Sequence, residues 1–274
     1  LVYGIIELIN FAHGEIYMLG AFTALLVAGV LGIVGFPAGG ILIVAALAAV
    51  VWSAAYGYTL EKVAYKPLRG APRLSPLISA IGMSIFLQNY VLLAQTSDYV
   101  PFPRLLPDME FLDYLGNIMG PSDFLILVTS TLAMVSLSLF IRYTRMGKAM
   151  RATAQNRKMA LLLGINADRI ISLTFIVGSA LAALGGVLIA SHMGQVNFGI
   201  GFLAGLKAFT AAVLGGIGSI PGAMVGGLVL GIAESMTTGY LSGNYEDALA
   251  FALLILILIF RPDGILGKAK VQKV

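Results

Sequence analysis

The chain has 274 residues, 59% of them hydrophobic and 11% charged, with a mean hydropathy of +0.94 and a formal net charge of +4. These values exclude an ordinary soluble domain and point to a membrane protein. Cysteine is absent, which removes disulfides, zinc-thiolate sites and a cysteine nucleophile.

In chain order, residues 1–14 form an apolar piece interrupted by Glu7, Asn10 and His13. The opening LVYGIIELINF reads as the interior of a helix, so a further N-terminal segment is expected before it. No charged residue occurs from Ile16 to Leu60, and Gly35-Phe36-Pro37 divides that run into spans at about 16–34 and 39–60. A basic segment with Lys62, Lys66, Arg69 and Arg73 follows, then a charge-free span from Leu74 to Ser97. Residues 98–123 carry five acidic residues, one basic residue and four prolines, the composition of an external loop.

Phe124–Ile141 is the next span. Arg142 to Arg169 then forms a strongly charged loop holding seven of the seventeen basic residues. Beyond it, 37 residues from Ile170 to Leu206 lack charge. They read as a span to about Ser191, a turn near Gly194–Gly201 and a short segment at about 202–217. Gly218-Ser219-Ile220-Pro221-Gly222 breaks the chain before spans at about 223–238 and 248–260 and a basic tail from Arg261. Fifteen of the seventeen basic residues fall in three segments, near 61–73, in 142–169 and after 261, the exceptions being Arg104 and Lys207. The alternation of spans puts all three on one side, and the positive-inside rule makes that side the cytoplasm, with a cytoplasmic C-terminus. The fold class is all-α, a polytopic transmembrane helix bundle of about eight segments, some broken or re-entrant, in one domain over 1–274.

Glycine pairs at spacing four (Gly201 with Gly205, Gly222 with Gly226, Gly227 with Gly231) predict close helix approach. The doublets at 185–186, 215–216 and 226–227 suggest bends or broken helices, whose exposed backbone groups line polar routes in membrane proteins. In the 142–169 loop, Met150–Leu163 has good helix formers and no proline or internal glycine, so it predicts a short helix outside the bilayer. Gly164 stands where a left-handed C′ residue belongs, and Asn166 or Asp168 is placed to cap a helix opening at Arg169-Ile170. Two readings of the loop stand side by side: a topological anchor touching anionic lipid, or a docking helix for a cytoplasmic partner.

Asn10, His13 and Glu15 put three polar side chains in or beside an apolar span. They read either as the lining of a translocation path or as an interfacial turn bonded to another helix. Lys207 lies roughly 10 Å down a helix from the Gly199–Gly201 turn, and either snorkels or pairs with a buried acid such as Glu234 or Glu15. Gln88, Asn89 and Thr210 fit interhelical hydrogen bonds. The sequence has no G-x-x-x-x-G-K-[ST] and no nucleophile elbow, and His13 and His192 form no H-x-x-x-H pair, so any nucleotide that drives it is expected on another subunit. No nucleic-acid motif accompanies the basic residues.

Four stretches together resemble one family: INFAHGEIYMLGA (9–21), SAIGMSIFLQNY (79–90), IRYTRMGKAMRATAQNRKMALLLGIN (141–166) and GLKAFTAAVLGGIGSIPGAMVGGLVLGIAES (205–235). The chain is similar along nearly its whole length to the LivH-type permeases of bacterial ABC importers for branched-chain amino acids. Such permeases usually begin with one more membrane helix. The resemblance implies a pore formed with a paralogous LivM-type permease in the inner membrane, two cytoplasmic ATPase subunits that carry ATP and magnesium, and a periplasmic binding protein delivering leucine, isoleucine or valine. The permease itself would hold no cofactor or metal and would not be an enzyme. The family's coupling pattern, an alanine-rich helix followed by glycine, is matched by Ala154, Asn156, Ala160 and Gly164, with Arg151, Arg157 and Lys158 at the rim. The implied mechanism is alternating access, with Asn10, His13, Glu15, Asn89 and Lys207 as pathway candidates. An ion-coupled transporter or channel for a small polar solute is the rival reading. It would need intramembrane acids, for which Glu15 and Glu234 are available, but no long cytoplasmic helical loop. A membrane-embedded enzyme would be expected to show a cluster of His, Asp, Glu, Ser or Lys, and none stands out.

Overall fold

The computed structural model describes residues 2, 10–72, 74–105 and 120–267. Glu7, Arg73, most of the acidic 98–123 loop and the tail lysines from Lys268 onward lie outside these residues. Among the described residues ten α-helices follow in order: α1 Ala12–Ile33, α2 Ala38–Leu60, α3 Leu74–Ala94, α4 Pro121–Tyr143, α5 Arg145–Gln155, α6 Arg157–Leu162, α7 Ala167–Met193, α8 Ile200–Gly215, α9 Ile220–Tyr240 and α10 Glu246–Phe260. Seven helices among the described residues are long and apolar enough to cross a membrane, and α8 is a shorter apolar one. The expected bundle of about eight segments is therefore present, with boundaries mostly within a few residues of the charge-free runs.

Buried positions of the bundle are dominated by small residues. Ala12, Ala21, Ala24, Ala45, Ala49, Ala80 and Ala183 are fully enclosed, whereas Ile43, Leu47, Val51, Ile78, Ile85 and Ile259 are exposed. In water this would be inside out. In a bilayer, lipid tails solvate the large side chains and small residues let backbones approach. The central helix is α1, packed against α2, α3, α7 and α8. Its Gly14 faces Gly201 and Gly205 of α8 so closely that a Cβ would meet the Gly205 Cα at 2.9 Å. On α9, Gly226 lies against the backbone of Ala211 and Gly215. These are close approaches at two of the three spaced glycine pairs. The third, Gly227 with Gly231, is not one: Gly231 faces open space.

Only one of the three glycine doublets breaks a helix. Gly216 ends α8 with φ +108°, but Gly185-Gly186 and Gly226-Gly227 sit inside the continuous helices α7 and α9. There the missing side chain serves packing, Gly186 against the Tyr17 backbone and Gly226 against α8. Two connections also differ from expectation. The second span does not stop at Leu60 but runs on through a π-turn, Glu61–Tyr65, and a 3₁₀ turn, Lys66–Leu68, where Pro67 ends the donor ladder. At the other end of the bundle, β1 (Val100–Pro101) pairs antiparallel with β2 (Gln195–Val196), in register Val100 with Val196. That pairing ties the α3–α4 connection to the turn at Gly194, whose φ is +68°.

Candidate functional site

Two regions carry the unusual chemistry: a polar layer inside the bundle and the helical loop at its basic end.

The polar layer is built on the first turn of α1. Glu15 is completely buried, and its Oε1 accepts a hydrogen bond from Ser84 Oγ of α3 at 2.9 Å. Its Oε2 has no hydrogen-bond partner among the described residues. The His13 ring lies against Gly178 of α7, where a Cβ would sit 3.3 Å from its Cε1, and its Nδ1 is likewise unpartnered among the described residues. Asn10 Oδ1 accepts from the Tyr65 hydroxyl at 2.8 Å, leaving Asn10 Nδ2 buried without a described partner. Ser53 of α2 bonds the Ile16 carbonyl at 3.4 Å. Gly57 and Ser179 meet so closely that a Cβ on Gly57 would collide with the Ser179 side chain. Asn10, just before α1, and His13 and Glu15 in its first turn thus meet three different partners, Tyr65 of the π-turn, Gly178 of α7 and Ser84 of α3, and sequence reasoning singled out neither Ser84 nor Tyr65.

The other two pathway candidates do not join them. Asn89 is exposed on α3, and its amide donates to the Ile85 carbonyl of its own helix at 2.8 Å. Lys207 is held by three carboxylates, Glu246 at 2.5 Å, Asp247 at 3.2 Å and Glu234 at 3.3 Å, and is not paired with Glu15. Glu234 was legible as a partner. Glu246 and Asp247 were not, because they open a helix that the hydropathy run placed from Ala248. Acidic residues in a first turn suit the positive end of the helix dipole.

The basic loop is two helices rather than one. Thr144 caps α5 by accepting from the Gly147 N–H at 2.9 Å, so the helix begins at Arg145, not Met150. At Asn156 the backbone is extended (φ −158°, ψ 104°), and the side chain accepts from Met159 N at 3.0 Å to start α6. The side-chain cap competes with continued helix and wins. Gly164 adopts φ +79°, as its position predicted, and Asn166 caps α7 by accepting from Arg169 N at 3.1 Å, so α7 opens two residues earlier than expected. Ala160 is buried, while Met159, Leu161, Leu162 and Leu163 are exposed, Leu162 at 80%. Arg151 and Ala154 line a cleft with Leu137 and Ile141 of α4, Phe209 of α8 and the loop before α9. Arg151 Nη2 donates to the Arg142 carbonyl at 3.3 Å. Lys158 is exposed beside Arg157.

Comparison with known proteins adds a lineage to this geometry. Residues 1–258 match the family described as the permease component of branched-chain amino acid transport systems. Over all of its length the chain is 52% identical to the high-affinity branched-chain amino acid transport system permease protein LivH of Escherichia coli K12, covering 90% of that protein. It is equally 52% identical to the corresponding permease protein BraD of Pseudomonas aeruginosa, covering 91% of it. A probable branched-chain amino acid permease of the archaeon Methanocaldococcus jannaschii is 27% identical over 94% of the chain and 82% of its own length. No solved structure matches the chain.

Proposed function

The chain belongs to the family of permease components of branched-chain amino acid transport systems, and from that premise we propose how it works. It is a multi-pass inner-membrane permease subunit of an ABC importer, carrying branched-chain amino acids into the cytoplasm. Its partners are ATPase subunits and a substrate-binding protein. In the finer reading, there are two ATPase subunits, the second half of the pore is a LivM-type paralogue, the binding protein is periplasmic, and the basic end with the C-terminus faces the cytoplasm. ATP and magnesium then sit wholly on the ATPase subunits, and the permease performs no chemistry.

The observation that carries this reading is the basic-end loop. It places the exposed apolar residues Met159, Leu161 and Leu162, followed by the C-cap Leu163, on a short capped helix that also carries Arg157 and Lys158. An exposed apolar patch rimmed by charge, on a helix outside the bundle, is the kind of surface that binds another protein. Seated on an ATPase subunit, this helix–break–helix acts as the lever through which nucleotide-driven closure reorients the membrane helices. The arginines and lysine at its rim favour encounter more than affinity.

The polar layer supplies the route. Among the described residues Asn10 Nδ2 is an unpartnered donor and Glu15 Oε2 an unpartnered acceptor, group types that suit the carboxylate and the ammonium of an amino-acid zwitterion. His13 borders the same layer. Such groups need only hold the substrate briefly, since the binding protein confers selectivity. Lys207, already neutralised by three acids, is structural in this account.

The test is uptake of labelled leucine, isoleucine and valine into proteoliposomes holding the complete complex. Uptake that requires internal ATP and loaded binding protein supports the importer. Uptake driven by a proton or sodium gradient without ATP would instead establish an ion-coupled transporter.

A further inference from the structure

Four charged side chains join the docking loop to the membrane bundle at the basic end. Glu61, at the start of the π-turn that ends α2, is completely buried, and its two oxygens are both engaged. Oε1 pairs with Arg69 Nη2, and Oε2 accepts from Ser172 Oγ of α7 at 2.7 Å. The second arm of Arg69, Nη1, reaches Asp168 Oδ1 in the first turn of α7. That same Asp168 oxygen also accepts from Arg157 Nη2 of α6 at 3.1 Å. One carboxylate oxygen is thus shared between an arginine of the bundle and an arginine of the docking helix.

The two ends of this chain are unequal. The Arg69 and Glu61 side chains are 12% and 0% exposed, and separating them would leave a carboxylate buried without its cation. Arg157 and Asp168 are 42% and 47% exposed, so their pair is weak, screened by salt and easily remade. Displacement of α6 therefore breaks the Arg157 contact first, while Asp168 stays with Arg69. Beyond Glu61 the path continues along the π-turn to Tyr65, whose hydroxyl holds Asn10 in the polar layer.

We propose that Asp168 is a positioning residue that latches the docking helix to the bundle: it holds α6 through Arg157 and connects it, by way of Arg69 and Glu61, to the foot of α2. This proposal rests on the importer reading above. The latch is closed in the present conformation and opens when nucleotide-driven closure of the seated partner draws α6 away.

The test is a double-mutant cycle of Arg157→Gln and Asp168→Asn in the reconstituted complete importer, reading leucine molecules taken up per ATP hydrolysed. Each single change should lower that ratio about two- to five-fold, the range expected for losing one exposed ion pair. The double variant should be no worse than the poorer single, and Arg157→Lys should retain more coupling than Arg157→Gln. Effects that multiply in the double variant would place Arg157 on a partner surface instead and overturn the latch. A second readout is amide exchange across residues 157–165 in the same complex without nucleotide. Exchange should rise about two- to five-fold in both single variants, with no further rise in the double. Unchanged exchange in Arg157→Gln overturns the latch even if the uptake ratio falls. If the wild-type complex shows no ATP-driven uptake, the importer reading falls, and the exchange result still decides the latch.

Discussion

Ser84 donates its hydroxyl proton to Glu15 at 2.9 Å, bridging α3 to α1 at a point where neither side chain reaches solvent. A buried carboxyl group whose hydrogen bond is removed keeps its desolvation cost and loses the compensation. Ser84→Ala should therefore lower the stability of the purified complex by about 1–3 kcal/mol. Glu15→Gln, which keeps an acceptor for Ser84, should cost less than Glu15→Ala. Thermal unfolding followed by size-exclusion fluorescence checks the order. Equal losses for Gln and Ala at position 15 would show that the Ser84 bond contributes little.

Asn10, His13 and their neighbour Tyr65 make a separate transport prediction. Asn10→Ala and His13→Ala should reduce leucine uptake several-fold at normal expression, because they remove polar groups from the route. Tyr65→Phe should have a smaller effect, about five-fold or less, since it removes one neutral hydrogen bond worth roughly 1 kcal/mol and leaves Asn10 in place. Initial uptake rates at saturating binding protein measure all three. Normal transport in both Asn10→Ala and His13→Ala would remove the polar layer from the pathway.

The approach of α1 to α8 depends on Gly14. A methyl group there would run into the Gly201 carbonyl and the Gly205 Cα, both backbone atoms that no rotamer change can move aside. Gly14→Ala should destabilise by about 1–3 kcal/mol through overpacking. Gly29, on the same helix with nothing near its missing side chain, is the control. Gly29→Ala should be neutral or stabilising by up to about 1 kcal/mol from helix propensity. Folded yield and thermal midpoint compare the two, and equal behaviour would mean that α1 and α8 are not in contact at this register.

Lys207 is the shared cation of three carboxylates from two other helices. Lys207→Met leaves Glu234, Glu246 and Asp247 clustered without their cation. The expected loss is about 2 kcal/mol, below the figure for a wholly buried pair because the cluster is partly solvated. Adding Glu246→Gln and Asp247→Asn should recover much of it, and raising salt should help the single variant more than wild type. Thermal midpoints at two ionic strengths read both effects.

The spans were legible because hydrocarbon enforces long runs of apolar residues without charge, and the chain obeys that rule from Ile16 to Phe260 with few exceptions. The left-handed Gly164 and the Asn166 cap were legible because those residue types have local backbone roles. The break at Asn156 was hidden inside a stretch of good helix formers, since a single capping side chain outweighed the average propensity of its neighbours. The Glu61, Arg69 and Asp168 cluster joins residues separated by up to 107 positions, and no periodicity reports such a distance. The one available signal was Glu61 itself, the lone acid in a segment otherwise carrying only bases. Asn89 misled because a polar residue in a span reads as a bond to another helix, whereas its amide bonds its own backbone.

The central claim is that the helical loop at the basic end transmits ATP hydrolysis to the bundle, and Gly164 tests it most directly. Gly164 has φ +79° and its N–H donates to the Leu161 carbonyl at 3.0 Å. Proline fixes φ near −65° and lacks that proton, so Gly164→Pro should distort the end of α6 and leave the polar layer intact. Asparagine tolerates the left-handed conformation, making Gly164→Asn the matched control. The measurement is ATP hydrolysis by the reconstituted complex with and without leucine-loaded binding protein. The account predicts that stimulation disappears in the assembled Gly164→Pro complex and persists in Gly164→Asn. Full stimulation in Gly164→Pro would contradict it and leave the loop as a topological anchor, with coupling carried through the 61–73 segment instead.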